Sequence, residues 1–279
     1  MFDVEGSILK EIYKERPEWS HKGDFGKLLV IGGSKRYTGA PALVAYSAIA
    51  SLRAGADLVL VAAPTRAADI IAKFSPNLIT EPLDGDFVSM KHSKKLNYLI
   101  KKFDAISIGS GLGTEKEIEE FVKKFVGKIK KPCVIDADAI KVLKNKRLGG
   151  NFVLTPHAYE FYHISGERPK QDILSRAKLV KRFAKKIGAT ILLKGAVDII
   201  SDGKQTAMNK TGNPCMTTGG TGDVLAGVCG GLLAQKIAPF KAACASAYMT
   251  GKAGDLAAKD KGPSLLATDI IEKIPEVIK

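Results

Sequence analysis

Short β-branched runs alternate with helix-length segments along nearly the whole chain. Lys27-Leu28-Leu29-Val30-Ile31 and residues 57–62, 104–108, 132–135, 152–154 and 190–193 read as strands. Helical patterns fill the intervals at 41–54, 65–74, 115–126 and 170–188, and a weaker strand signal falls at 77–80. Such alternation builds a mostly parallel sheet covered by helices on both faces. Residues 197–200 and 205–208 flank Ser201-Asp202-Gly203-Lys204, a hairpin signal that adds an antiparallel edge. Helices at 221–235, 239–258 and 268–276 complete the chain, and residues 1–20 are polar and helical in character. No linker and no repeat interrupts the pattern, so residues 1–279 are expected to form one α/β domain.

The strand ends are the informative places. In an open parallel sheet a ligand lies outside the carboxyl ends of the strands. Gly32-Gly33, Gly111-Leu112-Gly113, Asp136 and Asp138, His157 and Lys194 all follow strands directly. They converge on one edge although they are spread through the sequence. Asp136 and Asp138 would point to opposite faces if still in strand, so at most one of them faces a substrate or metal. Lys194 can pair with phosphate; the plainer alternative is a surface lysine. His157 and Glu160 open a helix, where the Glu also complements the helix dipole. His21, His92 and His163 read as surface or packing residues. The first glycine loop lacks G-x-G-x-x-G spacing, and no loop carries G-K-[ST], which argues against a dinucleotide fingerprint and a P-loop.

The richest stretch runs from Gly212 to Gly227. Gly219, Gly220 and Gly222 let the backbone bend and approach a ligand closely. The helix opening after them presents unpaired amides that suit an anion. A carboxylate, Asp223, sits at that positive pole. Dipole compensation is one use for it. The other is chemistry: a loop that stabilises a transferring phosphoryl group can also take a proton from its acceptor.

Composition narrows the classes. Apolar residues make up 45% of the 279, enough for a substantial core. The four cysteines are scattered with no C-x-x-C pair, which argues against a zinc site or a disulfide framework and fits a reducing cytoplasm. Cys215 lies in the glycine loop and reads as a small filler. The net charge is +14, from 43 Lys+Arg against 29 Asp+Glu, and is dispersed over many helices without an aromatic-interleaved stripe. It reads as a solvated surface with some attraction for small polyanions, not as a nucleic-acid interface. No signal segment and no membrane span is expected.

Gly219-Gly220-Thr221-Gly222-Asp223 resembles the anion-hole and base motif of the ribokinase-like superfamily. With Lys22-Gly23-Asp24-Phe25-Gly26-Lys27, Ile31-Gly32-Gly33-Ser34, Tyr37-Thr38-Gly39-Ala40-Pro41, Gly109-Ser110-Gly111-Leu112-Gly113, Val134-Ile135-Asp136-Ala137-Asp138-Ala139, Leu154-Thr155-Pro156-His157, Leu193-Lys194-Gly195-Ala196 and Asn213-Pro214, nearly the whole chain resembles the ADP/ATP-dependent NAD(P)H-hydrate dehydratases. The resemblance implies a three-layer αβα sandwich with a central mostly parallel sheet. It implies repair of NADH or NADPH hydrated on the nicotinamide ring: the 6-hydroxyl is phosphorylated by ADP or ATP, and phosphate elimination restores the ring.

Residue by residue, the resemblance makes Asp223 the base, with Gly220, Thr221 and Gly222 around the anion hole. Ala40, Gly111, His157 and Asp223 match substrate contacts. Lys194, Gly195, Ala196, Val197, Asp198 and Gly222 match nucleotide contacts. Glu160 matches a position near a magnesium–phosphate network. His157, where eukaryotic ATP-using relatives tend to have Asn, points to ADP, with AMP and phosphate as products. Cys215 and Thr217 depart from the usual Gly and Ala. A cytoplasmic homo-oligomer, a tetramer in the family, is expected, with no nucleic-acid or membrane partner and no room for an added epimerase domain. Two alternatives stay open: a kinase releasing a stable phosphorylated alcohol or vitamin precursor, and a non-catalytic nucleotide- or nucleic-acid-binding protein.

Overall fold

The computed structural model describes residues 1–35, 39–144 and 146–279; Tyr37 and Thr38 of the resemblance lie outside them. In chain order the elements are β1 (Phe2–Asp3), α1 (Ser7–Ile12), β2 (Lys27–Ile31), α2 (Ala40–Arg53), β3 (Leu58–Pro64), α3 (Thr65–Ala72), β4 (Ile79–Leu83), α4 (Ser93–Lys102), β5 (Ala105–Ile108), α5 (Lys116–Val126) and β6 (Cys133–Ile135). There follow α6 (Ala137–Lys141), β7 (Phe152–Leu154), α7 (Ala158–Ser165), α8 (Ile173–Ile187), β8 (Thr190–Leu193), β9 (Asp198–Ser201), β10 (Thr206–Asn209), α9 (Thr221–Ala234), α10 (Pro239–Lys261) and α11 (Ala267–Ile278). The strands form one ten-stranded sheet in the order β1-β10-β9-β8-β7-β6-β5-β2-β3-β4. Only β9 runs against its neighbours.

Side chains alternate across a strand, and here the alternation sorts the core into two layers. Leu28, Val30, Val59, Val61, Val134, Val153 and Leu192 face one side, under α2, α9, α10 and α11. Leu29, Ile31, Leu60, Ile106, Ile108, Ile135, Leu154 and Leu193 face the other, under α4, α5, α7 and α8. The strands therefore read as continuous apolar runs because both faces are covered.

α9 is apolar on all sides and is sandwiched between α2 and the sheet, with everything from Val224 to Ala234 buried. Its glycines permit the close approach. A Cβ on Gly227 would lie 2.1 Å from the Ser47 carbonyl oxygen of α2. This packing seats the first turn of α9 at the carboxyl edge of the sheet.

Four sequence expectations change. Residues 1–20 form only β1 and the short α1, not a helix throughout. The hairpin of β9 and β10 is not an edge, because β1 pairs with β10 in parallel and covers it. The weak strand lies at Ile79–Leu83, not at 77–80. Asp136 and Asp138 are not strand residues: α6 begins between them at Ala137.

Candidate active site

The carboxyl ends of β5, β6, β7 and β8 and the first turn of α9 meet around one ammonium group. Lys194 follows β8; its amide donates to the Pro156 carbonyl at 2.9 Å. Its Nζ lies 3.2 Å from Asp136 Oδ1, and the Thr155 hydroxyl donates to the same oxygen at 2.7 Å. Nζ also lies 3.1 Å from where a Cβ would stand on Gly222. Burial pulls the Lys194 ammonium down, but the charges of Asp136, Glu160 and Asp223 outweigh it and leave the group above its ordinary pKa.

Asp223 stands in the first turn of α9, after Gly220 in the left-handed region at φ +95°. Burial, with the charge of Asp136 beside it, raises its pKa to about 6 against the lowering effects of the Ser110 hydroxyl and Lys194. The Thr221 hydroxyl donates to the carbonyls of Met216 and Thr218, both at 3.1 Å, and staples the glycine loop to the helix. The first amides of such a helix have no intrahelical acceptor, so the turn holds a concentrated positive potential.

His157 caps α7. Its Nδ1 accepts the amides of Tyr159 and Glu160, each at 3.2 Å, and the Glu160 carboxylate accepts the His157 amide at 2.9 Å. That use of Nδ1 places the ring proton on Nε2, 3.4 Å from Glu160 Oε1. Burial and then the Lys194 charge lower the His157 pKa, so the ring is neutral at neutral pH. Burial raises the pKa of Glu160.

A cavity of about 620 Å³ opens beside this cluster. His157, Lys194, Gly195, Ala196, Asp198, Thr221 and Gly222 border it, with Asn213 and Met216 from the glycine loop and Thr250 from α10. The Thr250 hydroxyl is buried with no hydrogen-bond partner among the described residues. Asp198 is pushed up to about 6 by burial, against the lowering contacts of Asn209 and the Gly195 amide. Of the expected nucleotide residues, Val197 does not border the cavity; it packs against the apolar core. Ala40 and Gly111 lie on the other side. Gly111 follows Ser110, the residue bonded to Asp223, and a Cβ on Gly111 would come within 2.6 Å of the Ala40 Cβ. The expected residues thus fall into a group that borders the cavity, which includes His157 although it was expected with the substrate contacts, and a second group at Ala40 and Gly111, with Asp223 at the junction.

Several residues were not singled out by the sequence. Asp136 was one of two equal candidates, and only the turn at Ala137 decides that it faces the site. Asp138 instead accepts the Gly113 amide at 2.9 Å and Lys141 Nζ at 2.7 Å. Ser110 and Thr155 lie in segments that carry the resemblance, but nothing in the sequence assigned either a role in the site. Asp255 holds the start of the glycine loop through the Gly212 amide and Asn213 Nδ2, at 3.2 and 3.0 Å. Thr217 has a structural use: its hydroxyl donates to the Pro214 carbonyl at 2.8 Å.

A family model described as NAD(P)H-hydrate dehydratase matches residues 28–276. The chain belongs to this dehydratase family. It is 45% identical over 262 residues to the bifunctional NAD(P)H-hydrate repair enzyme Nnr of Pyrobaculum aerophilum, covering 93% of this chain and 52% of that protein. It is 39% identical over 274 residues to the ADP-dependent (S)-NAD(P)H-hydrate dehydratase of Cenarchaeum symbiosum, covering 97% and 94%. The chain spans about half the length of the first curated relatives it matches. Among solved structures, the ADP/ATP-dependent NAD(P)H-hydrate dehydratase of Bacillus subtilis co-crystallised with ATP/Mg2+ aligns with TM-score 0.82 at 25% identity, covering 99% of this chain and 97% of that one. The dehydratase fold is ribokinase-like, as expected.

Proposed function

We propose that residues 1–279 act as one ADP-dependent dehydratase unit that repairs hydrated NADH and NADPH. The observation that carries this reading is the placement of a carboxylate, Asp223, in the first turn of a helix whose Thr221 and Gly222 border a cavity that Lys194 also lines, with its pKa raised to about 6. A carboxylate at its ordinary pKa is a weak base near neutrality; one raised toward 6 is better matched to the task.

The 6-hydroxyl of the hydrated nicotinamide attacks the β-phosphorus of ADP. The new O–P bond forms as the bond to the bridging oxygen breaks, releasing AMP, and Asp223 takes the hydroxyl proton. The C–O bond then breaks with its electron pair on phosphate, and the neighbouring ring carbon gives its proton to the departing phosphate, which restores the dihydronicotinamide. The amides around Gly220, Thr221 and Gly222 and the Lys194 ammonium face the transferring group and oppose its growing charge. The hydrated ring lies toward Ala40 and Gly111 and reaches His157, which borders the cavity that holds the nucleotide along Lys194, Gly195, Ala196 and Asp198. Val197 contributes through its backbone.

Among the described residues no cluster of three acidic, His or Cys side chains could hold a metal. Glu160 is committed to the α7 cap. The donor set therefore fits a magnesium ion carried on the nucleotide phosphates and water, with Glu160 acting indirectly, not a protein cage. Such an ion supplies charge neutralisation on the phosphates.

A homo-oligomer in a reducing cytoplasm completes the proposal; all four cysteines are unpaired. Among the described residues no helix is long and apolar enough to cross a membrane. The test is incubation with hydrated NADH and ADP. Recovery of the dihydronicotinamide absorbance with release of AMP and phosphate is expected. A stable phosphorylated product without NADH would overturn the dehydratase reading in favour of a kinase. Faster turnover with ATP would overturn only the donor.

A further inference from the structure

We propose that Asp136 is a positioning residue for this reaction: it holds the Lys194 ammonium at the start of α9, against the transferring phosphoryl group and away from Asp223. The proposal rests on the dehydratase reading above. It begins with the backbone. Ala137 is held at φ +49°, a left-handed conformation that is costly for a residue with a Cβ. Gly109, at φ +141°, makes room for the chain there, because a Cβ would meet the Asp136 carbonyl oxygen at 1.8 Å. Two unusual backbone positions thus place one carboxylate at the site, while Asp138, two residues later, is turned away to Gly113 and Lys141.

Asp136 is 3% exposed, and its Oδ1 receives both Thr155 and Lys194. A buried carboxylate must be paired, and here the pairing also fixes the partner. Lys194 has three other carboxylates within electrostatic reach: Glu160, Asp223 and, across the cavity lining, Asp198. If Asp136 lost its charge, the ammonium would be drawn toward Glu160 and also into an ion pair with Asp223. That ion pair would make Asp223 a poorer base and draw the lysine off the phosphoryl group. Asp223 itself is faced by Asp136, Lys194 and the Ser110 hydroxyl. Removing the Asp136 charge therefore lowers the basicity of Asp223 twice, by losing a like charge and by gaining an opposite one. Asp136 touches neither substrate in this arrangement and acts through Lys194 and Asp223.

The test compares pH profiles of kcat and kcat/KM for the wild type, Asp136→Asn, Asp138→Asn, Lys194→Met and the double variant Asp136→Asn/Lys194→Met. Asp136→Asn is expected to lower kcat by roughly 10²–10³-fold, the scale seen when one group stabilising transition-state charge is lost. The KM for ADP should change far less. The acid limb of the profile should move to lower pH, and Asp138→Asn should leave it in place. The double variant should be slower than Lys194→Met by much less than Asp136→Asn is slower than the wild type, because most of the effect of Asp136 runs through Lys194. An unmoved acid limb, or rate losses that multiply in the double variant, would overturn the proposal.

Should Asp136→Asn fail to fold, Thr155→Val takes its place. It removes the hydroxyl that fixes Asp136 and should reduce kcat in the same direction, and an unchanged kcat would count against the proposal. A second readout does not need the reaction: acetylation of Lys194 by acetic anhydride, followed by mass spectrometry across pH. Its midpoint should fall in Asp136→Asn and stay put if Asp136 does not hold the ammonium. A wild type that restores no NADH would sink the proposed function, while the labelling would still decide the role of Asp136.

Discussion

At the scale of the residue, Asp223 serves two opposed demands. Reactivity needs it ionised, and its surroundings resist ionisation. The acid limb of kcat/KM should therefore fall near pH 6, where the folded group titrates. Asp223→Asn should lower kcat by about 10²–10⁴-fold and leave ADP affinity nearly unchanged, as measured by calorimetry. The stability effect has the opposite sign. The folded pKa lies above the ordinary 3.8, so between 3.8 and about 6 the native state binds more protons than the unfolded chain. Its contribution to stability is therefore lost as pH rises through that window. Asp223→Asn should melt higher than the wild type at neutral pH, and the two should converge below 3.8. A variant that keeps its kcat and gains no stability would remove Asp223 from the mechanism. Asp223 was legible in the sequence because glycines, a helix start and a carboxylate stood together. Asp136 was only half legible. Its direction depends on a left-handed Ala137, and nothing about an alanine announces that conformation.

Elements were legible where pattern and burial agree. The parallel strands announced themselves as apolar runs, and α8 as a charge-faced helix capped by Gly188 in the left-handed region. The short pieces were not: β1 has two residues and exists because β10 offers an unpaired edge, a tertiary cause. Nor did the pattern explain Gly227, Gly230 and Gly231 in the buried stretch of α9. Gly227 lies against the α2 backbone, where no side chain can yield, whereas a Cβ on Gly230 would meet side chains, Leu28 at 3.1 Å and Ser107 at 3.6 Å. Gly227→Ala should therefore cost about 1–3 kcal/mol by forcing α9 off α2. It should also reduce kcat, because Asp223 rides on the same helix one turn earlier. Gly230→Ala should be milder in both. Urea unfolding and kcat for the pair check this, and equal losses would show that the α2 contact does not set the site.

For the whole molecule the question is what +14 net charges do. Much of the exposed charge is paired locally, as in Lys123–Glu119, Lys124–Glu120 and Lys210–Asp3. Such surface pairs add little stability, but they break up the field that a nucleic-acid backbone would need. The remaining excess acts at longer range on small polyanions, and both proposed substrates, a hydrated dinucleotide and ADP, are polyanions. Their capture should be accelerated by the net field and screened by salt, over a Debye length of about 10 Å at 0.1 M. The chemical step, enclosed beside Lys194 and Asp223, should be screened much less. Raising ionic strength should therefore lower kcat/KM for both substrates while kcat stays nearly constant. The same titration with labelled duplex DNA should show only weak binding at physiological salt. Two results would contradict this account of the charge. One is a kcat that falls with salt as steeply as kcat/KM, which would place the sensitive interaction inside the closed site. The other is nanomolar DNA affinity with a steep salt slope, which would mean that the dispersed lysines do form a continuous surface.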